Sequence, residues 1–328
     1  MGRYILKRLL WLIPIVLGVT ILVFTMMLFC PGDPATIILG STATEADLAA
    51  ERVLLGLDKP YLVRLGTYMS DVFLHFNLGT SWLTKVSIGS SILERMPRTL
   101  LLTTTTLLIA YGIGIPLGIT AATHQNKWQD SVSMIVALIA TAIPNFFLAL
   151  LLILLFSVTL GWLPSMGIDK GLISYILPAA SCCAGALATC ARQTRSSMLD
   201  VIRADYITTA RSKGVPERQV IRKHALKNAL IPIITVLGNT FGQLLGGAII
   251  IETIFSIPGM GSYIIGAVNS RDYPIVQGGT IVLAIVFSLI MLAVDLLYAF
   301  VDPRIKAQYK AMGTKKRVKK EGAVKANG

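Results

Sequence analysis

Arg192 to Asn228 reads RQTRSSMLDVIRADYITTARSKGVPERQVIRKHALKN, a polar and strongly basic island of 37 residues. It stands between two uncharged apolar runs, Gly171–Ala191 and Asn228–Ile251. Each run is long enough to cross a bilayer as a helix, which takes about 20 residues. A water-soluble core has no use for such an island, so it marks where a membrane-embedded bundle meets the aqueous phase. Composition agrees: the 328 residues are 54% hydrophobic and 14% charged, with a mean hydropathy of +0.69. That is more apolar surface than one soluble core can hide.

Working outward, the uncharged runs are Leu9–Cys30, Thr99–Thr123, Ser131–Ile168, Gly171–Ala191, Asn228–Ile251 and Tyr273–Val294, the last continuing past Asp295 to Val301. They predict an all-α membrane protein of six spans. Ser131–Ile168 as a single helix would be roughly 57 Å long at about 1.5 Å per residue. Span three is therefore expected to end near Leu160, with Gly161-Trp162-Leu163-Pro164 as an external turn and Pro144-Asn145 as a kink. If the N-terminus lies inside, the inner segments hold 22 of the 30 lysines and arginines. Basic residues beside spans stay cytoplasmic, so both termini are expected there. The formal charge of +13 is then a signal of topology and of the membrane surface, with no call for nucleic acid.

Four units follow: 1–30, the N-terminus and first span; 31–98, an extracytoplasmic insertion; 99–301, a five-span core containing the 192–228 island; and 302–328, a basic tail with the Lys315–Lys320 run near anionic lipid. The first apolar run is too long for a secretory h-region and lacks a small-residue cleavage site, and Cys30 sits in a poor lipoprotein context. In the insertion, Ala43–Gly56 reads as a short helix with Thr44 as N-cap and Asp47 three residues on. Tyr61–Phe76 carries Leu62, Leu65, Met69 and Phe73 at helical spacing, as an amphipathic surface helix would. Cys182, Cys183 and Cys190 in span four lack a histidine or carboxylate partner there and read as small packing residues.

Within the island, Ser197–Arg211 can be helical, Gly214 can take the left-handed conformation that ends a helix, and Pro216 suits the first turn of the next. Helix, sharp turn, helix is a stiff element for carrying force. The chain has no Gly-x-x-x-x-Gly-Lys-Ser/Thr phosphate loop, and no nucleophile, metal or paired-carboxylate constellation assembles from its three scattered histidines. It is expected to be a non-enzyme that binds no cofactor itself. In span five, Gly238, Gly242 and Gly246 form a small-residue stripe for close helix approach. Asn239 and Gln243, one turn apart, either bond a neighbouring helix or line a polar pathway. Gly112, Gly114, Pro116 and Gly118 in span two can bend a gate or serve a static bundle. Asp295 is the one acidic residue inside a span and is expected to pair near the inner boundary.

Asp205-Tyr206-Ile207-Thr208-Thr209-Ala210-Arg211-Ser212-Lys213-Gly214, followed by His224-Ala225-Leu226-Lys227-Asn228-Ala229-Leu230-Ile231-Pro232, resembles the cytoplasmic "EAA" loop of permease subunits of binding-protein-dependent ABC importers. Pro31-Gly32-Asp33-Pro34, Gly56-Leu57-Asp58-Lys59-Pro60, Glu252-Thr253-Ile254-Phe255-Ser256-Ile257-Pro258-Gly259-Met260-Gly261, Arg271-Asp272-Tyr273-Pro274 and Asp302-Pro303-Arg304 extend the resemblance over nearly the whole chain and narrow it to the peptide/nickel/opine group. Thr208-Thr209-Ala210 stands where the general pattern has Glu-Ala-Ala, and Lys227 where it has proline; both changes are usual in that group.

The resemblance implies a type I importer permease fold and a peptide cargo, with nickel or a metal chelate as the alternative. It implies that Ala204, Asp205, Tyr206, Thr208, Thr209, Ala210, Arg211, Ser212, Lys213 and Gly214 couple to an ATPase subunit. Implied partners are a second, similar permease forming a heterodimer, two ABC ATPase subunits that hold ATP and Mg, and an extracytoplasmic binding protein docking near Glu252, Pro258, Gly259 and Arg271. The Glu252–Tyr263 stretch would form a re-entrant scoop beneath that protein. An ion-coupled secondary transporter is the competing class, and it would want midplane carboxylates or unwound helix pairs. A membrane scaffold without transport is the other.

Overall fold

The computed structural model describes residues 2–29, 32–40 and 42–301. Cys30, Pro31, Asp302-Pro303-Arg304 and the Lys315–Lys320 run lie outside them. The chain forms α1 (Gly2–Leu28), α2 (Pro34–Leu39), α3 (Glu45–Leu54), α4 (Tyr61–Phe73), α5 (Ile88–Thr123), α6 (Trp128–Ala142), α7 (Asn145–Leu152, continued as a wide turn over Ile153–Thr159), α8 (Ile176–Ile202), α9 (Asp205–Ser212), α10 (Glu217–Gln219), α11 (Leu226–Ile254), α12 (Met260–Ser270) and α13 (Tyr273–Val301). The described residues contain no strand.

Among the described residues, five segments are long and apolar enough to span a membrane: Arg8–Leu28, Ile88–Thr123, Gly171–Ile202, Glu217–Ile254 and Tyr273–Leu297. The sixth expected span is a broken one. Trp128–Ala142 and Asn145–Thr159 meet at 97°, a corner where sequence predicted a kink. Pro144 forces the residue before it out of the helical region, and Ile143 adopts ψ 122° while Pro144 itself adopts ψ 136°. Two extended residues in succession turn the chain aside.

Boundaries shift elsewhere. The second spanning helix begins at Ile88, not Thr99, so residues 88–98 extend it beyond the predicted apolar run. The fourth runs past Ala191 to Ile202.

The core lies between α5, α8 and α11, around Leu102, Tyr111, Cys182, Cys190, Ile233 and Phe255. All three span-four cysteines are buried there. Glycines let α5 and α8 touch: a Cβ at Gly118 would fall 2.6 Å from the Ala191 carbonyl oxygen, and one at Gly114 3.0 Å from Cys190 Cβ. Thus Gly114 and Gly118 are packing positions, whereas a Cβ at Gly112 would meet nothing within 4 Å. On α11, Gly238 and Gly242 admit Val294 and Phe287 of α13, but Gly246 faces open space and drops out of the expected stripe. Asp295 pairs with Arg8 at 3.1 Å, joining the last spanning helix to the first at the end expected to be inner.

The insertion is built as local rules dictate. Thr44 caps α3 and Asp47 returns the bond to the Thr44 N–H, completing a capping box. At the other end Gly56 sits at φ +65°, with Gly56 N–H donating to Val53 O and Leu57 N–H to Arg52 O, a Schellman closure. Arg52 also reaches back to Asp33 at 2.7 Å. Burial opposes the ionised Asp33 carboxylate, but the bonds from Arg52, the Ala35 N–H and Thr36 outweigh it and hold its pKa below the ordinary value of 3.8. On α4 the expected stripe holds in part: Leu65, Met69 and Phe73 are half-buried, but Leu62 is 75% exposed and Val72 is the buried residue. The helix turns Tyr61 and Tyr68 onto Phe24 of α1, with ring centroids 5.9 and 5.6 Å apart, and Tyr61 Oη lies 2.7 Å from Thr25 Oγ1.

Candidate functional site: a basic elbow, a cavity at the bend and an outer turn

The island is not one helix up to Arg211, as its sequence predicted. After α8 ends at Ile202, Ala204 is extended (ψ 146°) and α9 starts afresh at Asp205. α9 closes as expected: Gly214 sits at φ +77°, Gly214 N–H donates to Arg211 O, and Val215 N–H donates to Ala210 O. Pro216 is extended and immediately precedes α10, from which the chain runs into α11 through a wide turn at Val220–Ala225.

One residue fixes the elbow to the bundle. Ile207 is fully buried, in a cluster with Ala122, Met198 and Ala229 from the ends of α5, α8 and α11 and with Val220 and Ala225 of the wide turn before α11. Pegging this side leaves Asp205, Tyr206, Thr208, Thr209, Arg211, Ser212, Lys213 and Gly214 exposed, while Ala204 and Ala210 are half-buried at the edge. Arg211 donates Nε and Nη2 to the Glu217 carboxylate at 3.1 and 2.7 Å, bracing the two arms. That bond raises the Arg211 pKa above its ordinary value. Asn228 Nδ2 donates to the Tyr206 hydroxyl at 2.8 Å, a second brace. The arrangement presents a short rigid helix face to the aqueous side.

At the corner of the broken span a cavity of about 400 Å³ opens. Its polar lining is uncharged: Thr141, Asn145, Thr189, Thr240 and Gln243. Asn239 is exposed on the same helix but does not line it. No hydrogen bond joins Asn239 or Gln243 to another described residue, so within this chain they do not serve as interhelical glue.

The turn after α11, expected on the outer side, departs from expectation. Glu252 is fully buried, not displayed for docking: Oε1 accepts from Thr99 Oγ1 at 2.6 Å and Oε2 from the Ser262 N–H at 2.9 Å. A Cβ at Gly259, itself buried, would fall 2.3 Å from Glu252 Oε1, which explains the glycine in Pro-Gly-Met-Gly. Glu252 and Gly259 are thus internal to the turn, and any effect they have on docking is indirect. Pro258 is half-buried with its carbonyl accepting from Arg98 at 3.1 Å. Arg271, left-handed at φ 54°, lays its guanidinium against Gly32. The turn is followed by α12, which packs on α5, α11 and α13.

Two positioning contacts were missed in the sequence. Asp130 binds Arg195 through both oxygens, and buried Asp272 accepts from Ser81 Oγ and the Trp82 N–H, tying the insertion to the α12–α13 junction. Their partners are 65 and about 190 positions apart, and no periodicity connects residues at such range.

The family described as "binding-protein-dependent transport system inner membrane component" matches residues 114–307, and its N-terminal companion matches residues 1–103. The chain is 44% identical, over 93% of its length and 100% of the relative, to the dipeptide transport system permease protein DppB of Alkalihalophilus pseudofirmus. It is 43% identical, over 93% of its length and 99% of the relative, to the glutathione transport system permease protein GsiC of Salmonella choleraesuis. An inward-facing structure of the MetNI methionine ABC transporter superposes with a TM-score of 0.55 at 21% identity, covering 64% of this chain and 96% of that one. That likeness establishes the fold, that of a type I importer permease. A multi-pass helical bundle with these matches along both halves belongs to the family of inner-membrane permease components of binding-protein-dependent transport systems.

Proposed function

We propose that this chain is one half of the membrane pathway of an ATP-driven importer that carries peptides. The observation that carries the reading is the elbow: α9 is pegged by Ile207 and braced by Arg211–Glu217, so a push on its exposed face moves the ends of α5, α8 and α11 together. Two ATPase subunits, which bind ATP and Mg and perform the hydrolysis, receive that face in a groove. A second, similar permease completes the pathway, making a heterodimer. An extracytoplasmic binding protein delivers cargo to the outer turn at Pro258 and to Arg271. Both termini and the elbow lie in the cytoplasm of a cell whose plasma membrane the chain spans.

Peptide as cargo is supported by the names of the relatives and by the cavity at the bend. Amides and hydroxyls without a fixed charge suit a peptide backbone whatever its side chains, and Gln243, with Asn239 beside it, would face the passing chain.

The test is reconstitution with the partner subunits in proteoliposomes. A cysteine at Thr209 is expected to cross-link to the ATPase in a nucleotide-dependent way, and labelled dipeptide uptake is expected to require ATP. Absence of that cross-link in every nucleotide state would sink the coupling assignment. Unchanged uptake kinetics in Asn239→Ala/Gln243→Ala would remove these amides from the pathway.

A further inference from the structure

A second cavity, about 680 Å³, lies elsewhere, between the insertion and the ends of two spanning helices. It falls within the range of about 300–1,000 Å³ occupied by small-ligand sites. One wall is the last turn of α1 (Phe24, Met27, Leu28) and the first turn of α13 (Tyr273, Pro274, Gln277). These are the helix ends opposite the Arg8–Asp295 pair, so the cavity sits at a membrane boundary. Trp82 and Tyr273 pack there with ring centroids 5.5 Å apart, at the depth where such rings concentrate.

The other wall is α4, and its sequence is chemically ordered. Arg64, Tyr68 and Asp71 stand at i, i+4 and i+7, one face of a helix, and all three line the cavity. Arg64 lies over the Phe24 ring at 5.9 Å and makes no ion pair with a described carboxylate. Burial lowers its pKa, against the opposing influence of Tyr273 and Asp58 nearby. The Tyr68 hydroxyl is buried with no hydrogen-bond partner among the described residues. Such an orphan costs about 1–3 kcal/mol unless something satisfies it. Asp71 has His75 at a loose 3.7 Å. The face thus runs cation, hydroxyl, carboxylate, beside the apolar floor of Met27, Leu28 and Leu54.

We propose that this cavity binds one zwitterionic phospholipid with a primary ammonium, its phosphate diester on Arg64 and Tyr68, its ammonium on Asp71, and an acyl chain along Met27 and Leu28. A purely anionic headgroup would leave Asp71 facing negative charge. A choline headgroup has no N–H for it to accept. The inference rests on the membrane-spanning architecture and is independent of which cargo is carried.

The test is native mass spectrometry of the full chain, purified with its accompanying subunits and titrated with phosphatidylethanolamine, phosphatidylglycerol or phosphatidylcholine bearing the same acyl chains. One phosphatidylethanolamine is expected to be retained where the other two are stripped. Arg64→Gln and Asp71→Asn are expected to weaken retention at least tenfold, and Tyr68→Phe, which removes a single oxygen, about threefold to tenfold (about 0.6–1.4 kcal/mol at 1.4 kcal/mol per factor of ten). Thermal unfolding without added lipid supplies the control: Tyr68→Phe is expected to be at least as stable as the parent there, and to lose its advantage when phosphatidylethanolamine is added. Retention unchanged in Tyr68→Phe and Arg64→Gln, equal retention of phosphatidylglycerol, or efficient cross-linking of a cysteine at Thr67 to an accompanying subunit that fills the space would each overturn the proposal.

Discussion

The Asp130 carboxylate takes Nε and Nη2 of Arg195 at 2.5 and 2.7 Å, fastening the start of the broken span to α8 about two turns before the elbow. The Asp130 side chain is 6% exposed and that of Arg195 26%. Removing one partner from such a pair leaves the other charge buried and alone, which costs about 3–5 kcal/mol, whereas neutralising both costs far less. Arg195→Ala is therefore expected to lower the thermal midpoint in detergent sharply. The double variant Asp130→Asn/Arg195→Gln should recover most of the loss. Equal destabilisation by the single and double changes would show that the pair is not the reason.

Two glycines on α5 are expected to answer oppositely to the same substitution. A Cβ at Gly118 collides with Ala191 and Thr194 of α8, and overpacking of this kind costs about 1–3 kcal/mol. A Cβ at Gly112 meets nothing within 4 Å, and alanine there gains up to about 1 kcal/mol of helix propensity. Thermal unfolding of Gly118→Ala and Gly112→Ala, compared side by side, checks both signs.

At Gly214 the constraint is backbone alone, because its φ of +77° is left-handed while the space around it is open. Gly214→Ala is expected to cost about 1–2 kcal/mol locally, loosening the Schellman closure and reducing ATP-driven uptake more than assembly with the ATPase. Gly214→Asn, which tolerates this region, should retain most of the uptake.

Acid is expected to loosen the insertion before the bundle. Asp33 has a folded pKa below 3.8 because its bonds outweigh its burial. Its contribution is therefore complete above the unfolded value and is lost as pH falls through the folded one. Hydrogen exchange of the 33–39 amides should accelerate below about pH 4, and in Asp33→Asn that acceleration should shrink, with faster exchange at neutral pH.

Legibility followed the range of the interaction. The α3 cap, the Gly56 and Gly214 closures and the apolar runs depend on neighbours within a few residues, so each could be read directly. Elsewhere the signal was present but ambiguous. Leu62 stood in a helical stripe, yet α4 follows Tyr61 and Tyr68 onto Phe24. Gly246 continued a small-residue stripe that the α13 contacts abandon after Gly242. Glu252 looked like a charged residue at an outer turn, and only Thr99, from a different helix, reveals it as the buried fastening of that turn.

The chain by itself determined a membrane-spanning helical bundle, the place of its basic elbow, and the caps that start and stop its shorter helices. These follow from backbone sterics and from the cost of apolar surface in water, both local to a segment. Tertiary structure decided which way each helix faces: the corner at Pro144, the Asp130–Arg195 fastening, the peg at Ile207 and the open cavity beside α4. Those depend on which side chains from distant segments arrive at the same point, and desolvation selects among them only once the helices have packed.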